Sequence, residues 1–281
     1  EVPDSGGAGK FRGGLSAESC FIPHNTPSIT QDTLSSGNAT PTATGMMGGY
    51  PGTTNEYKYV RHSDIQDRIK SRKMIDDIAE VVGESVTLQL RQINFEQFPA
   101  DVYSVVCSAA GGFGDPLDRD PQKVKEDVDA HSVTGDGARE MYGVIIEPGT
   151  GEIDHKATES LRTDIRNARL NGHHLKPMKV NGELLLEVTE NIHLRSEKGR
   201  TVYCCAKCCT EIGQLGENYK EHCIRIDQHV SKSNLLIGEP SRFIDDVPEF
   251  RQFVCPGCGT LIENEIAMKG EPLLMDVHIE K

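Results

Sequence analysis

Apolar positions along this chain change rhythm several times, and each rhythm predicts an element. Ile65, Ile69, Ile75, Ile78 and Val82 recur at roughly helical spacing behind Asp64, an N-cap residue type, so 64–82 reads as a helix. Its Asp67, Arg68, Lys70, Arg72 and Lys73 form a solvated face. Residues 86–90 alternate and 102–108 are mostly apolar, which predicts two strands with Asp101 in the turn before the second. A short helix over 121–128 has Pro at its first turn. Another follows over 137–142, and then a strand at Val144-Ile145-Ile146. Asp154 caps a helix running to Leu170, with Ala157, Leu161, Ile165 and Ala168 on one face. Beyond a linker at 171–182 the pattern turns to β, with strands over 182–194, 219–226, 250–254 and 273–279. The fold class is therefore α+β: a β-rich first part with several short helices, then a small β module.

Residues 1–60 carry little periodicity and much Gly, Ser, Thr and Pro. Composition alone predicts disorder there. The spaced apolar residues Phe21, Ile22, Ile29, Leu34, Met46, Met47 and Tyr50 also allow extended segments packed within a larger body. Gly6, Gly7 and Gly9 resemble a phosphate loop only superficially, since no strand precedes them and no Gly-Lys-Ser/Thr follows. Gly111-Gly112-Phe113-Gly114 follows a predicted strand. Such a run either cradles a ligand or lets backbones pack closely, and close packing is the favoured reading.

At 281 residues the chain can bury a sizeable core in one or two domains. A formal charge of −13 disfavours nucleic-acid backbone binding. From Glu190 to Lys281, 11 Lys+Arg stand against 15 Asp+Glu, so the C-terminal part is not basic either. Trp is absent and aromatics make up 5%, leaving no aromatic-basic stripe. No run of about 18 apolar residues is present to span a membrane. The start, Glu-Val-Pro-Asp-Ser, lacks Met and any signal pattern, as expected of a processed chain or of a sequence beginning partway through a longer one. Nine cysteines, an odd number, fit a reducing cytoplasm better than a disulfide framework.

Two cysteine pairs carry the sharpest chemistry: Cys205-Ala206-Lys207-Cys208 and Cys255-Pro256-Gly257-Cys258. Two residues between thiolates let both sulfurs reach one ion, and two such pairs complete a tetrahedral Zn²⁺ site. The 46 residues between the pairs cost little, because loop closure grows only logarithmically. Four thiolates leave no open position for water, so the ion is structural. Cys204 or Cys209 offers an alternative register. Cys209 stands where such a knuckle usually has Gly, which favours Cys205 and Cys208. Cys223 beside His222 is a spare ligand, and His173-His174 reads as a solvated linker pair.

Two resemblances then meet. Residues 4–14 (DSGGAGKFRGG), 111–121 (GGFGDPLDRDP) and 138–144 (AREMYGV) resemble the hydantoinase B/oxoprolinase family over roughly residues 3–170, and only the C-terminal part of that family's subunit. From about 185 onward, Cys205, Cys208, Asn218-Tyr219-Lys220 and residues 253–261 (FVCPGCGTL) resemble the acetone carboxylase γ subunit and the zinc-ribbon subunit of acetophenone carboxylase. The implied architecture is a hydantoinase-B-type region over 1–182 joined to a zinc ribbon over 183–281. The implied role is a structural or partly site-forming subunit of an ATP-dependent ketone carboxylase that makes a β-keto acid from ketone, bicarbonate and ATP. ATP and a catalytic metal are then expected on partner subunits of a cytoplasmic hetero-oligomer. These partners are a hydantoinase-A-like ATP-binding subunit and the hydantoinase-B N-terminal portion, on another chain or upstream. The alternatives are an ATP-dependent hydantoinase/oxoprolinase amidohydrolase subunit and a zinc-ribbon nucleic-acid adaptor. No catalytic residue transfers to this sequence from the matched motifs.

Overall fold

A computed structural model describes every residue except 76, 171, 172, 174, 175, 280 and 281. His174 of the histidine pair lies outside the described residues. The first part contains strands β1 (Glu18–Phe21), β2 (Ile29–Leu34), β3 (Glu56–Arg61), β4 (Glu84–Val86), β5 (Arg91–Gln97) and β6 (Val102–Val106). Its helices are α1 (Ile65–Lys70), α2 (Pro121–Asp129), α3 (Gly135–Tyr142) and α4 (His155–Leu170). The second part is β7 (Leu184–Glu187), β8 (Ile192–Glu197), β9 (Arg200–Cys205), β10 (Glu211–Gln214), β11 (Ile224–His229), β12 (Pro248–Val254) and β13 (Leu261–Met268). Antiparallel pairing gives sheets ordered β1-β6-β3-β4, β10-β9-β8-β7 and β11-β12-β13, and a separate β2-β5 ribbon. This is the α+β, β-rich arrangement the pattern predicts.

Several boundaries depart from the sequence reading. The helix over 64–82 is only α1, because Arg72 adopts a left-handed backbone (φ 55°) that ends it. Asp64 does not cap the helix N–H groups; its carboxylate takes the Val82 N–H and the Arg68 guanidinium. Of the predicted face, Ile65 and Ile78 pack with Val60, Val81 and Val102 in one small core with Ile75 against it, whereas Ile69 and Val82 are exposed. The predicted strand at 144–146 is reduced to a single bridge between Ile146 and Ile153. The stretch 182–194 is a hairpin, β7 and β8, turned at Thr189–Ile192. Residues 219–222 form a 3-10 turn before β11. The final strand does not form. Leu273, Val277 and Ile279 instead satisfy their apolar pattern by packing on the cysteine core. Asp276 ties that segment down by accepting from Tyr219 Oη (3.1 Å) and pairing with the buried Lys220 ammonium (2.9 Å).

The glycine-rich stretches of 1–60 and 111–114 are ordered against one another. Tyr50 N–H donates to Ala8 O (2.7 Å), Gly112 N–H to Tyr50 O (2.9 Å), and Gly7 N–H to Ala110 O (2.9 Å). Three loops therefore lie backbone to backbone. A Cβ at Gly49 would stand 2.1 Å from Gly112 O, and one at Gly112 2.3 Å from Ala8 O. Only glycine fits such approaches. The run at 111–114 is thus a packing device and not a phosphate cradle.

The second part docks on this glycine layer. Glu263 of β13 accepts the Met47 and Gly48 N–H groups at 3.0 and 3.2 Å. Asn264 donates to Gly49 O (2.6 Å), Asn191 to Met47 O (2.6 Å), and Asn234 to Ser5 O (3.2 Å). Side-chain amides here satisfy carbonyls that no strand partner reaches. The deepest joint is ionic. Asp115, fully buried at the end of the glycine run, pairs with Arg169 of α4 (2.8 Å) and accepts the Leu261 N–H (2.9 Å). Burial works to raise the Asp115 pKa, but the Arg169 charge and these donors hold it below the ordinary carboxylate range.

Asp115→Ala is expected to cost about 3–5 kcal/mol, because it leaves Arg169 buried without a partner. Urea denaturation measures the loss. A carboxylate lowered on folding stabilises fully above its unfolded pKa of about 3.9. That contribution should fade as pH falls through the lower folded value, and the acid arm of the stability curve should flatten in the variant.

Candidate metal centre

Strand β9 ends at Cys205 and β12 ends at Cys255, each followed by the same tight turn. Cys209 N–H donates to Cys205 O (2.9 Å) and Gly259 N–H to Cys255 O (3.0 Å). Cys205 N–H donates to Thr210 O (2.9 Å), and Cys255 N–H to Thr260 O (2.8 Å). The two knuckles are near copies of one another. Each turn needs a left-handed residue after its second cysteine: Gly259 at φ 71° and Cys209 at φ 56°. Cys209 thus occupies the glycine position, as its place in the sequence implies.

The structure brings Cys205, Cys208, Cys255 and Cys258 together, with their Sγ atoms all within 4.8 Å of one another. Cys208 and Cys255 sulfurs are 3.5 Å apart, and Cys205 and Cys258 sulfurs 3.8 Å. A tetrahedron with Zn–S bonds of about 2.3 Å has edges of roughly 3.8 Å. The cluster therefore fits a metal ion of that size. Cys204 packs on the other side of β9 with Val180 and Val202, and Cys223 is buried in the core behind the site. Neither belongs to the cluster of four.

Hydrogen bonding among the sulfurs splits their acidity. Cys208 is held far below the ordinary thiol range through Cys205, and Cys258 falls to about 6, again through Cys205 first. Cys205 is raised through Cys208, and Cys255 through Cys205. Metal binding needs all four sulfurs as thiolates, so it would release the protons they carry.

Two residues beside the sulfurs escape a search for ligands. Thr210 Oγ1 lies 3.2 Å from Cys208 Sγ, and Thr260 Oγ1 3.2 Å from Cys258 Sγ. Each hydroxyl can donate to a thiolate and fix its direction. Their signal in the sequence is the repeat Cys-x-x-Cys-x-Thr, present in both knuckles. The second knuckle is also bolted to the first part of the chain, since Arg169 donates to Gly259 O (3.1 Å). Among the described residues no helix is long and apolar enough to cross a membrane.

Comparison with known proteins finds two family matches in the chain. Residues 1–116 match the hydantoinase B/oxoprolinase family, and residues 178–280 match the acetone carboxylase gamma subunit family. The acetone carboxylase alpha subunit of Xanthobacter autotrophicus is 32% identical over 183 residues, 59% of this chain and 23% of that protein. The acetophenone carboxylase delta subunit of Aromatoleum aromaticum is 27% identical over 175 residues, 59% of this chain and 26% of that protein. The match thus spans about a quarter of each relative's length. A solved structure of nucleotide-free acetone carboxylase aligns with TM-score 0.48 and 28% identity, covering 61% of this chain and 24% of that one.

Cys255→Ser should abolish metal retention and unfold 190–281, read as lost metal content and as fast amide exchange confined to that region. Cys209→Gly should keep the metal and raise stability by up to about 1 kcal/mol, since it relieves a left-handed backbone at a residue outside the cluster. Loss of metal in Cys209→Gly would show that the register of ligands is different.

Proposed function

We propose that this chain is a subunit of an ATP-dependent ketone carboxylase complex of the acetone/acetophenone carboxylase type, joining ketone and bicarbonate to a β-keto acid. The observation that carries the reading is conjunction: one chain holds a hydantoinase-B-type stretch and an acetone-carboxylase-gamma-type stretch. The two curated relatives it matches are carboxylase subunits. The division falls near 182/183, with the cysteine module after it.

Within that complex the chain's own chemistry is structural. Cys205, Cys208, Cys255 and Cys258 hold Zn²⁺ in a closed thiolate site, which has no open position for substrate or water. The ion locks the two knuckles, and through Gly259 and Arg169 the lock extends to α4. ATP and the catalytic metal bind partner subunits, a hydantoinase-A-type ATP-binding subunit and the remaining hydantoinase-B portion, in a cytoplasmic hetero-oligomer. The glycine runs here serve packing, so nucleotide binding falls to the partner.

The complex purified around this chain, given ATP, ketone and labelled bicarbonate, should place the label in a β-keto acid. The isolated chain should place none. Hydrolysis of a cyclic amide with ATP and no incorporation of label would instead make this an amidohydrolase subunit, the reading that the hydantoinase B/oxoprolinase match alone favours.

A further inference from the structure

Asn218, Tyr219 and Lys220 lie outside the sulfur cluster, yet all three reach one segment. Asn218 Nδ2 donates to Leu274 O (3.4 Å), Tyr219 Oη donates to Asp276 (3.1 Å), and the Lys220 ammonium pairs with Asp276 (2.9 Å). Their common target is the C-terminal strap, residues 271–279. Beyond Glu271 the strap makes no backbone–backbone hydrogen bond among the described residues, and it joins no sheet. Its Leu274 N–H donates to Glu265 Oε2 (3.4 Å), and Glu265 itself pairs with Lys220 (3.0 Å). Side chains from one turn and from β13 therefore hold the strap in place of a strand ladder.

The strap closes the core that carries two of the metal ligands. Leu273, Val277 and Ile279 pack on the cluster that contains Cys205, Cys255, Tyr219 and Phe253, and both cysteines are fully buried. Lys220 is 1% exposed, and its ammonium lies 5.1 Å from the centre of the Phe253 ring, two residues before Cys255. A closed thiolate site gives up its ion only when its sulfurs let go. Cys208 and Cys258 are partly exposed, but Cys205 and Cys255 are reached only when the core opens. Local opening begins at elements with few backbone hydrogen bonds and little burial. The strap is such an element, with Leu274 63% and Met275 43% exposed.

We propose that Asn218, Tyr219 and Lys220 are positioning residues that clamp the strap over the thiolate core, and that release of the strap sets the rate of metal exchange. The proposal rests on the reading of the four cysteines as a metal site. The sulfurs supply the bonds to the ion, and the strap governs how fast the buried pair is reached. Asp276 is the latch, because it alone meets both Tyr219 and Lys220 and leaves with the strap.

The test mixes the full chain, loaded with Zn²⁺, with an excess of a chromophoric chelator, and follows amide hydrogen exchange on the same samples. Asp276→Asn keeps the shape of the latch and removes its charge. It should speed metal transfer about tenfold, the scale of one hydrogen bond to a charged group, with faster amide exchange confined to 271–279. Val277→Asp, which sets a charge against the core and leaves the ion pair alone, should do the same. Lys198→Ala, in the exposed turn between β8 and β9, should change neither rate. Metal transfer at the wild-type rate from a variant whose strap exchanges freely overturns the gate. A strap still protected in both variants overturns the clamp. Protection lost across all of 190–281 makes these residues general supports of the core and overturns the proposal as well. A wild-type chain that retains no Zn²⁺ sinks the metal reading and the gate with it, whereas the other failures leave the metal reading standing.

Discussion

One buried carboxylate joins the parts of this molecule. Asp115 sits where the glycine run ends, accepts the N–H that starts β13, and neutralises the arginine at the end of α4. Each contact comes from a different region of sequence, so none can shift without the others. The guanidinium it holds reaches on to the carbonyl of Gly259, inside the second cysteine knuckle. Metal centre, helix and glycine layer thus share a single ionic joint. In a low-dielectric interior such a joint stabilises little in net terms but is costly to break from one side.

Around that joint the structure relies on backbone proximity more than on a large apolar core. The hydrophobic clusters are small and separate, one behind the cysteines, one under α2 and α3, one beside α1. What binds them is a layer where glycines admit contact distances that any side chain forbids, and where asparagines and Glu263 complete the hydrogen bonding. A metal ion held by the four cysteines would cross-link the two knuckles inside the largest of these clusters.

The cysteine cluster and the glycine runs are both structural features of the chain. Thiolates filling a tetrahedron exclude substrate from the ion, and the glycine runs spend their backbone N–H groups on neighbouring loops.

The chain's own residues singled out the four cysteines that the fold brings together and the two families its stretches match. These are local signals: a two-residue spacing, a glycine-like position at Cys209, short family motifs. Helices α2 and α4 were legible for the same reason, with Pro121 in the first turn of one and Asp154 capping the other. The stop of α1 at Arg72 and the failure of 273–279 to pair as a strand were not, because both depend on which surface the apolar residues find. Only tertiary structure decided that Asp115 and Arg169 meet, that three glycine loops stack, and that Asp276 reaches Tyr219 and Lys220. Each is a contact between segments far apart in sequence, and no spacing within a segment encodes its partner.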